Sequence, residues 1–355
     1  MENIKYLLWN NKGGVGKTFL TYMLSVEYAI KNPAEDVVVI DACPQSNVSE
    51  MLLGGNGIGE ENLEKFRSNN MTIAGYIKDR YERSRSSKIG TETNYFSLVH
   101  TYNKHMPENL YLLPGDVDLD ICSTIINYLG TAPERGAWKK SRWLLCDLIE
   151  SFESRKGTNG RKQVFFIDCN PSFSNYTEMA VLAANRILVP CTADAASIRG
   201  IRNLFKLIYG VPYGPQELND EVFLMFSTNA RDAGLSLPLV HRFVQNKSRS
   251  NLADAAQAFK SHVQEIEELA RHMKTQHPHL FTQDLFTQDL FTQGNGGEVL
   301  NVKDGNTLAT IINHVGQPLT TLQQKKYRIY EQDTQANNSQ IAPLVKDIMI
   351  VLNTL

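Results

Sequence analysis

Residues Asn10–Thr18 read NNKGGVGKT, between an apolar run from Ile4 to Trp9 and an apolar-periodic segment from Phe19 to Ile30. A strand, a glycine-rich turn and a helix in that order are the parts of a phosphate cradle. Gly13, Gly14 and Gly16 let the backbone curl tightly, so that successive N–H groups face phosphate oxygens with no Cβ in the way. Lys17 supplies a cation, Thr18 a hydroxyl for Mg²⁺, and the helix that begins there the positive end of its dipole. The candidate nucleotide-binding stretch is Gly13, Gly14, Val15, Gly16, Lys17, Thr18 and Phe19.

Asn11 stands where the ordinary P-loop pattern has its first glycine, and a second lysine, Lys12, follows it. KGGVGKT resembles the deviant Walker A box of the ParA/MinD family of ATPases. That resemblance implies that Lys17 binds the phosphates of its own chain's ATP, while Lys12 reaches across a dimer interface to the partner's ATP. A cation at the scissile phosphates stabilises the charge that develops in phosphoryl transfer, so both lysines count as catalytic candidates. Nucleotide binding and homodimerisation would then be one event.

Two further apolar runs, Val37 to Ile40 and Val164 to Ile167, read as buried strands, and each ends in an aspartate, Asp41 and Asp168. Carboxylates at strand ends face the ligand crevice of a doubly wound sheet. DACPQSN, from Asp41 to Asn47, resembles the family's DxDPQxN motif, with Cys43 in the place of its second aspartate. DCNPS, from Asp168, resembles the Walker B region. The resemblance makes Asp41 a catalytic candidate and Thr18, Asp41 and Asp168 the Mg²⁺ set. It also makes Cys169 to Ser172 a segment that senses the γ-phosphate. In the relatives the second aspartate positions or activates the attacking water. A thiol, with an ordinary pKa of about 8.5 and weak acceptor strength, replaces it poorly. ATP binding is therefore expected, with slow hydrolysis.

The fold expected is α/β: a doubly wound, mainly parallel sheet in a single ParA-like domain over residues 1–355, with insertions at about 54–108 and about 232–304. Residues 54–62, GGNGIGEEN, read as loop, and Arg80, Arg83, Arg85 and Lys88 as solvated surface or as contacts for a partner or nucleic acid. Glu221 to Phe226 reads as one more buried strand. By the resemblance a polar residue just beyond that strand recognises adenine, which points to Asn229, and a GxPL loop brings Pro318 near the base. Asn251 to His272 has a long helical pattern. Leu280 to Gly294 reads LFTQD LFTQD LFTQG, a tandem duplication whose period fits neither helix nor strand. It is expected in a tolerant surface loop, with self-association through Phe281, Phe286 and Phe291 as an alternative. Ile341 to Leu355 is a last amphipathic helix, packed on the sheet.

Hydrophobic residues at 42% and charged residues at 21% describe a soluble globular protein, and the net charge of −2 argues against a surface coated in nucleic acid. A cytoplasmic protein is expected, nucleoid-associated if it binds DNA, since no apolar run has the length of a membrane span and no basic leader is visible. The last helix carries only Lys346 as a cation, too little for a membrane-surface role. The five cysteines lack CxxC spacing, so neither a zinc site nor a disulfide scaffold is indicated, and they are expected as small buried hydrophobes.

Two functional readings follow. One is an ATP-dependent dimerising switch that cycles on and off nonspecific DNA or a ParB-like adaptor. Arg242, Lys247, Arg249, Lys325, Lys326 and Arg328 would contribute its basic face. The other is a nucleotide-gated regulatory or defence-system subunit, with weak or absent hydrolysis, that recruits an effector protein.

Overall fold

The architecture comes from a computed structural model that describes residues 3–83, 92–155, 160–212, 221–248, 255–283 and 299–355. Strands β1 (Ile4–Leu8), β2 (Asp36–Ala42), β3 (Ser97–Leu98) and β4 (Leu110–Leu113) are followed by β5 (Gln163–Cys169), β6 (Arg186–Cys191), β7 (Leu239–Ser248) and β8 (Val299–Lys303). They form one sheet in the order β3-β4-β2-β5-β1-β6-β7-β8, in which only the short edge strand β3 runs antiparallel to its neighbour. A separate hairpin joins β9 (Lys326–Ile329) to β10 (Gln332–Gln335). The expectation of a doubly wound, mainly parallel sheet is met.

Helices cover both faces, so the inner strands are apolar throughout and their residues alternate between two cores. Leu7, Val38, Ile40, Phe165 and Ile167 face one layer. It contains α4 (Ile73–Arg83), α5 (Leu119–Gly130), α6 (Ala137–Arg142), α7 (Leu144–Glu153), α8 (Asn175–Ala183), α9 (Ala195–Tyr209), α10 (Glu221–Asp232) and α11 (Ala255–Gln276). Tyr6, Leu8, Val37, Val39 and Phe166 face the other. That layer contains α1 (Lys17–Lys31), α2 (Asn47–Leu52), α3 (Ile58–Ser68), α12 (Asn306–Val315) and α13 (Asn338–Leu352). Among the described residues no helix is long and apolar enough to cross a membrane.

Several expectations need correction. Glu221 to Phe226 is the start of helix α10, and the next parallel strand is β7, further along the chain. A short apolar run does not fix its own period: Phe226 and Ala230, one helical turn apart, are the buried positions. In β7 the polar residues His241 and Arg242 obscure the strand, yet both are buried. Arg242 donates to the His241 carbonyl at 2.8 Å and belongs to no basic face. The GGNGIGEEN stretch is loop only as far as Gly57, and helix α3 starts at Ile58. Arg80 is buried and ion-paired to Asp147 at 2.9 Å, where a solvated arginine was expected. The side chain of Arg83 and all of Arg85, Lys88 and Arg249 lie outside the described residues, as does the side chain of Lys247.

The first LFTQD copy is not a surface loop. Phe281 is buried, forms a parallel bridge with Val240 of β7 and meets the Phe205 ring at 5.9 Å between centroids. The Thr282 amide donates to the Val240 carbonyl at 3.1 Å, and the Thr282 hydroxyl lies 3.0 Å from His241 Nδ1. Phe286 and Phe291 fall outside the described residues.

Candidate functional site: a nucleotide cleft at the carboxyl edge

The crossover from β1 to β2 passes over β5, while β6 lies on the other side of β1, so the strand order reverses at β1 and opens a crevice there. The loop after β1 fills its floor. Gly14 and Gly16 have φ of 74° and 86°, a backbone state that side chains disfavour. At Gly16 a Cβ would also fall 1.9 Å from Asn246 Nδ2, so glycine is required twice over. The loop borders a cleft of about 840 Å³. Gly13, Gly14, Gly16, Lys17, Thr18 and Phe19 line it, together with Cys43, Asn170, Asn246, Asp304, Gly305 and Asn313. Val15 is fully buried beneath the loop, so it can offer only its backbone.

Lys17 is almost wholly buried, and its ammonium donates to the Lys12 carbonyl at 2.7 Å and the Asn10 carbonyl at 3.3 Å. Burial lowers its pKa to about 8, against the opposing pull of Asp168. Anionic phosphates at the loop would restore the charge. Lys12 points elsewhere: its ammonium is 2.5 Å from Asp194 Oδ2 and 2.8 Å from the Thr192 hydroxyl. Asp194 caps α9 by accepting from the Ser197 amide. Burial alone would raise the Asp194 carboxyl, but the hydrogen bonds from Lys12, Thr192 and Ser197 outweigh it and hold it at about 2. In the single chain Lys12 is thus engaged within its own subunit.

The two strand-end aspartates lie in register on adjacent strands, and their surroundings differ. Asp168 accepts from Thr18 Oγ1 at 2.7 Å, which places a hydroxyl and a carboxylate together beside the phosphate loop. Burial first, and the Asp41 charge second, raise its pKa. Asp41 is fully buried and tied to the loop after β2. It accepts from the Ser49 hydroxyl at 2.7 Å, the Ser49 amide at 3.0 Å and the Cys43 amide at 3.1 Å. Through these bonds it organises the loop after β2, beside Asp168 on the neighbouring strand. Burial and the neighbouring carboxylates raise the Cys43 thiol to about 12, so it stands neutral at the cleft wall.

Among the described residues no group of three or more His, Cys, Asp or Glu is arranged to hold a metal. The hard oxygen pair Thr18 and Asp168 nevertheless fits Mg²⁺, which usually takes few protein ligands and completes its octahedron with water and phosphate.

The two base-side candidates are not at the cleft. Asn229 is half-buried on helix α10, and its carbonyl accepts from Ala233 within that helix's last turn. Pro318 is buried ahead of a short turn, Leu319–Thr321, whose Thr320 donates to Glu27. The misread strand explains the first error: the residue at the end of the true strand is Asn246. Its amide donates to the Val15 carbonyl at 3.2 Å, and its Oδ1 is buried without a partner among the described residues. The apolar pairs Leu239–Val240 and Phe243–Val244, leading into Asn246, were the available sequence signal.

This fold and phosphate loop define a P-loop ATPase of the ParA/MinD type. The family model described as "AAA domain" (AAA_31) matches residues 5–220, and the chain belongs to that family. The chain is 28% identical over 199 residues to the chromosome partitioning protein ParA of Caulobacter vibrioides, covering 56% of this chain and 60% of that one. It is 24% identical over 224 residues to the cell division protein PomZ of Myxococcus xanthus, covering 63% of this chain and 57% of the relative. The alignments therefore span less than two thirds of these relatives. Among solved structures, apo McdA from Cyanothece aligns over 90% of this chain and 92% of its own, with a TM-score of 0.53 at 16% identity. A putative plasmid partition protein from Borrelia burgdorferi, bound to AMPPNP, aligns over 100% of both chains with a TM-score of 0.52 at 14% identity. These two similarities bear on the fold alone.

Proposed function

We propose that the chain is an ATP-driven dimerising switch of the partition type. The observation that carries this reading is the division of labour between its two loop lysines: Lys17 sits under the phosphate loop while Lys12 is held off by Asp194. ATP phosphates displace the loop carbonyls as partners of the Lys17 ammonium, and backbone N–H groups from Gly13 to Thr18 take up the remaining phosphate oxygens. Thr18 and Asp168 would hold Mg²⁺, which would supply charge to neutralise the phosphates. Lys12 leaves Asp194 to meet the ATP of a second copy. Asn246 Oδ1, an acceptor, reads the exocyclic amine of adenine. The dimer then engages nonspecific DNA or a protein partner and is reset by slow hydrolysis, in the soluble cell interior. The exposed cations Lys325, Lys326 and Arg328 on the β9–β10 hairpin remain candidates for the DNA contact.

The test is sedimentation velocity with and without Mg·ATP. The wild type is expected to shift from monomer to dimer only with ATP, and Lys12→Ala to keep ATP binding but stay monomeric. An ATP-dependent dimer of Lys12→Ala would remove the trans role of Lys12. The neutral Cys43 thiol favours a second reading, an ATP-gated recruiter of an effector with little or no turnover. It predicts an ATP dimer that releases no phosphate.

A further inference from the structure

We infer that Asp120, on the first turn of α5, supplies the carboxylate that positions the attacking water, the role that position 43 cannot fill with a thiol. This rests on the reading of the cleft as an ATPase site. Three carboxylate residues among the described residues line the cleft: Glu50, Asp120 and Asp304. Asp304 precedes Gly305, which packs against Phe19. Glu50 lies on α2 beside Met51, toward Asn56. Only Asp120 is tied to the end of β5, where the terminal phosphate is expected. Tyr176 Oη donates to Asp120 Oδ1 at 3.3 Å and itself accepts from Asn170 Nδ2 at 2.7 Å. Asn170 is fixed at both ends, its carbonyl by the Trp9 indole at 3.0 Å and its Oδ1 by the Ser172 hydroxyl at 2.8 Å. A hydrogen-bonded chain thus runs from the Walker B loop to an exposed carboxylate on the cleft wall. Burial, with a contribution from Asp120, raises the Tyr176 phenol, which therefore keeps its proton and donates. Asp41, the nearer carboxylate in sequence, already accepts three hydrogen bonds and is not among the residues lining the cleft.

In the step assigned to it, Asp120 accepts a hydrogen bond from water. The water oxygen's lone pair forms the new bond to the γ-phosphorus. The bond from that phosphorus to the β,γ-bridging oxygen breaks, and its electron pair stays on ADP. The proton leaves the water through Asp120 to solvent or the released phosphate, giving ADP, phosphate and a proton. Tyr176 is a positioning residue.

The experiment is steady-state phosphate release, with equilibrium binding of a non-hydrolysable ATP analogue measured on the same samples. Asp120→Asn is expected to lower kcat by about ten- to a hundredfold, in the lower range of general-base contributions, with analogue affinity within about twofold. Cys43→Asp added to Asp120→Asn is expected to recover turnover, because it places a carboxylate at the alternative position. A structural lesion on α5 would not be repaired in this way. Tyr176→Phe is expected to lower kcat by about threefold, again without loss of affinity. Wild-type turnover persisting in Asp120→Asn, or a matching loss of analogue affinity, overturns the assignment and leaves the ATPase reading standing. A wild type that binds the analogue but releases no phosphate overturns both the assignment and the turnover reading.

Discussion

The two flanks of the cleft are built on opposite terms. On the side of β1 and β5, Lys17, Thr18 and Asp168 already have hydrogen-bond partners within the chain. On the β7 side, Asn246 lines the cleft and its Oδ1 is buried without a partner among the described residues. A buried polar atom without a partner costs about 1–3 kcal/mol, an amount a strand end tolerates where a ligand will satisfy it. The phosphate half, Asn10 Oδ1 apart, is set in advance, and Asn246 is expected to be completed on binding.

The strongest test of that division is Phe281→Ala, which attacks the β7 flank through its packing. Removing a buried phenylalanine is expected to cost about 3–5 kcal/mol in urea unfolding, with ATP affinity of the folded fraction changed less than about threefold. A parallel loss of affinity would show that the flanks are not separable.

Lys17→Ala attacks the other half. It is expected to weaken ATP binding by about a hundredfold, the worth of a charge-assisted contact, without lowering the melting temperature, since the amine removed was buried and costly to charge. A lower melting temperature would mean that the lysine's bonds to the loop carbonyls stabilise the fold more than its burial costs.

The pH dependence sharpens the same point with a smaller effect. The folded-state pKa of Lys17 is depressed to about 8, so raising the pH through that value removes the charge that phosphates need. ATP affinity is expected to be level between about pH 6.5 and 7.5 and to fall by up to about tenfold per unit above about 8. Binding at about pH 8.5 should take up protons, visible in calorimetry with buffers of different ionisation heat. The same group acts on stability with the opposite sign: its contribution rises as pH climbs from about 8 toward the ordinary lysine value. A pH slope that survives in Lys17→Ala would assign it to another group.

The smallest change is Asn246→Leu. Replacing the amide with an apolar group should leave stability within about 1 kcal/mol, because an unpartnered oxygen is lost along with one hydrogen bond. ATP affinity should fall about fivefold and the preference for ATP over GTP should narrow. Unchanged discrimination would place base recognition elsewhere on the cleft wall.

The sequence was most legible where the chemistry forces a local pattern. Lys17, Thr18 and Asp168 could be placed from the loop and from an apolar run ending in a carboxylate, because phosphate binding and strand burial each restrict nearby residues. Asp41 satisfied the same rule, but its ties to the loop after β2 were not legible, since a strand end sets a residue's position while the hydrogen bonds from Ser49 and Cys43 set its side chain. The β7 flank was illegible for the reverse reason. His241 and Arg242 are polar but buried, satisfied by contacts with Thr354 and the local backbone that no short window contains. With that strand missed, Asn229 took the place of Asn246. Asp120 could not be found from spacing, because its link to Asn170 runs through Tyr176, far away in the chain.

The bridge from Val240 to Phe281 bears on the length of chain that this edge tolerates. The chain touches the edge of β7 at Phe281 and returns to the same edge in parallel at Val299, opposite Phe243. The two attachment points are therefore neighbours, whatever length of polypeptide joins them. The entropic cost of a loop grows only by about 0.6 kcal/mol per doubling of its length. Removing one five-residue copy between these two points is therefore expected to change the unfolding free energy by less than about 1 kcal/mol, which urea unfolding would check.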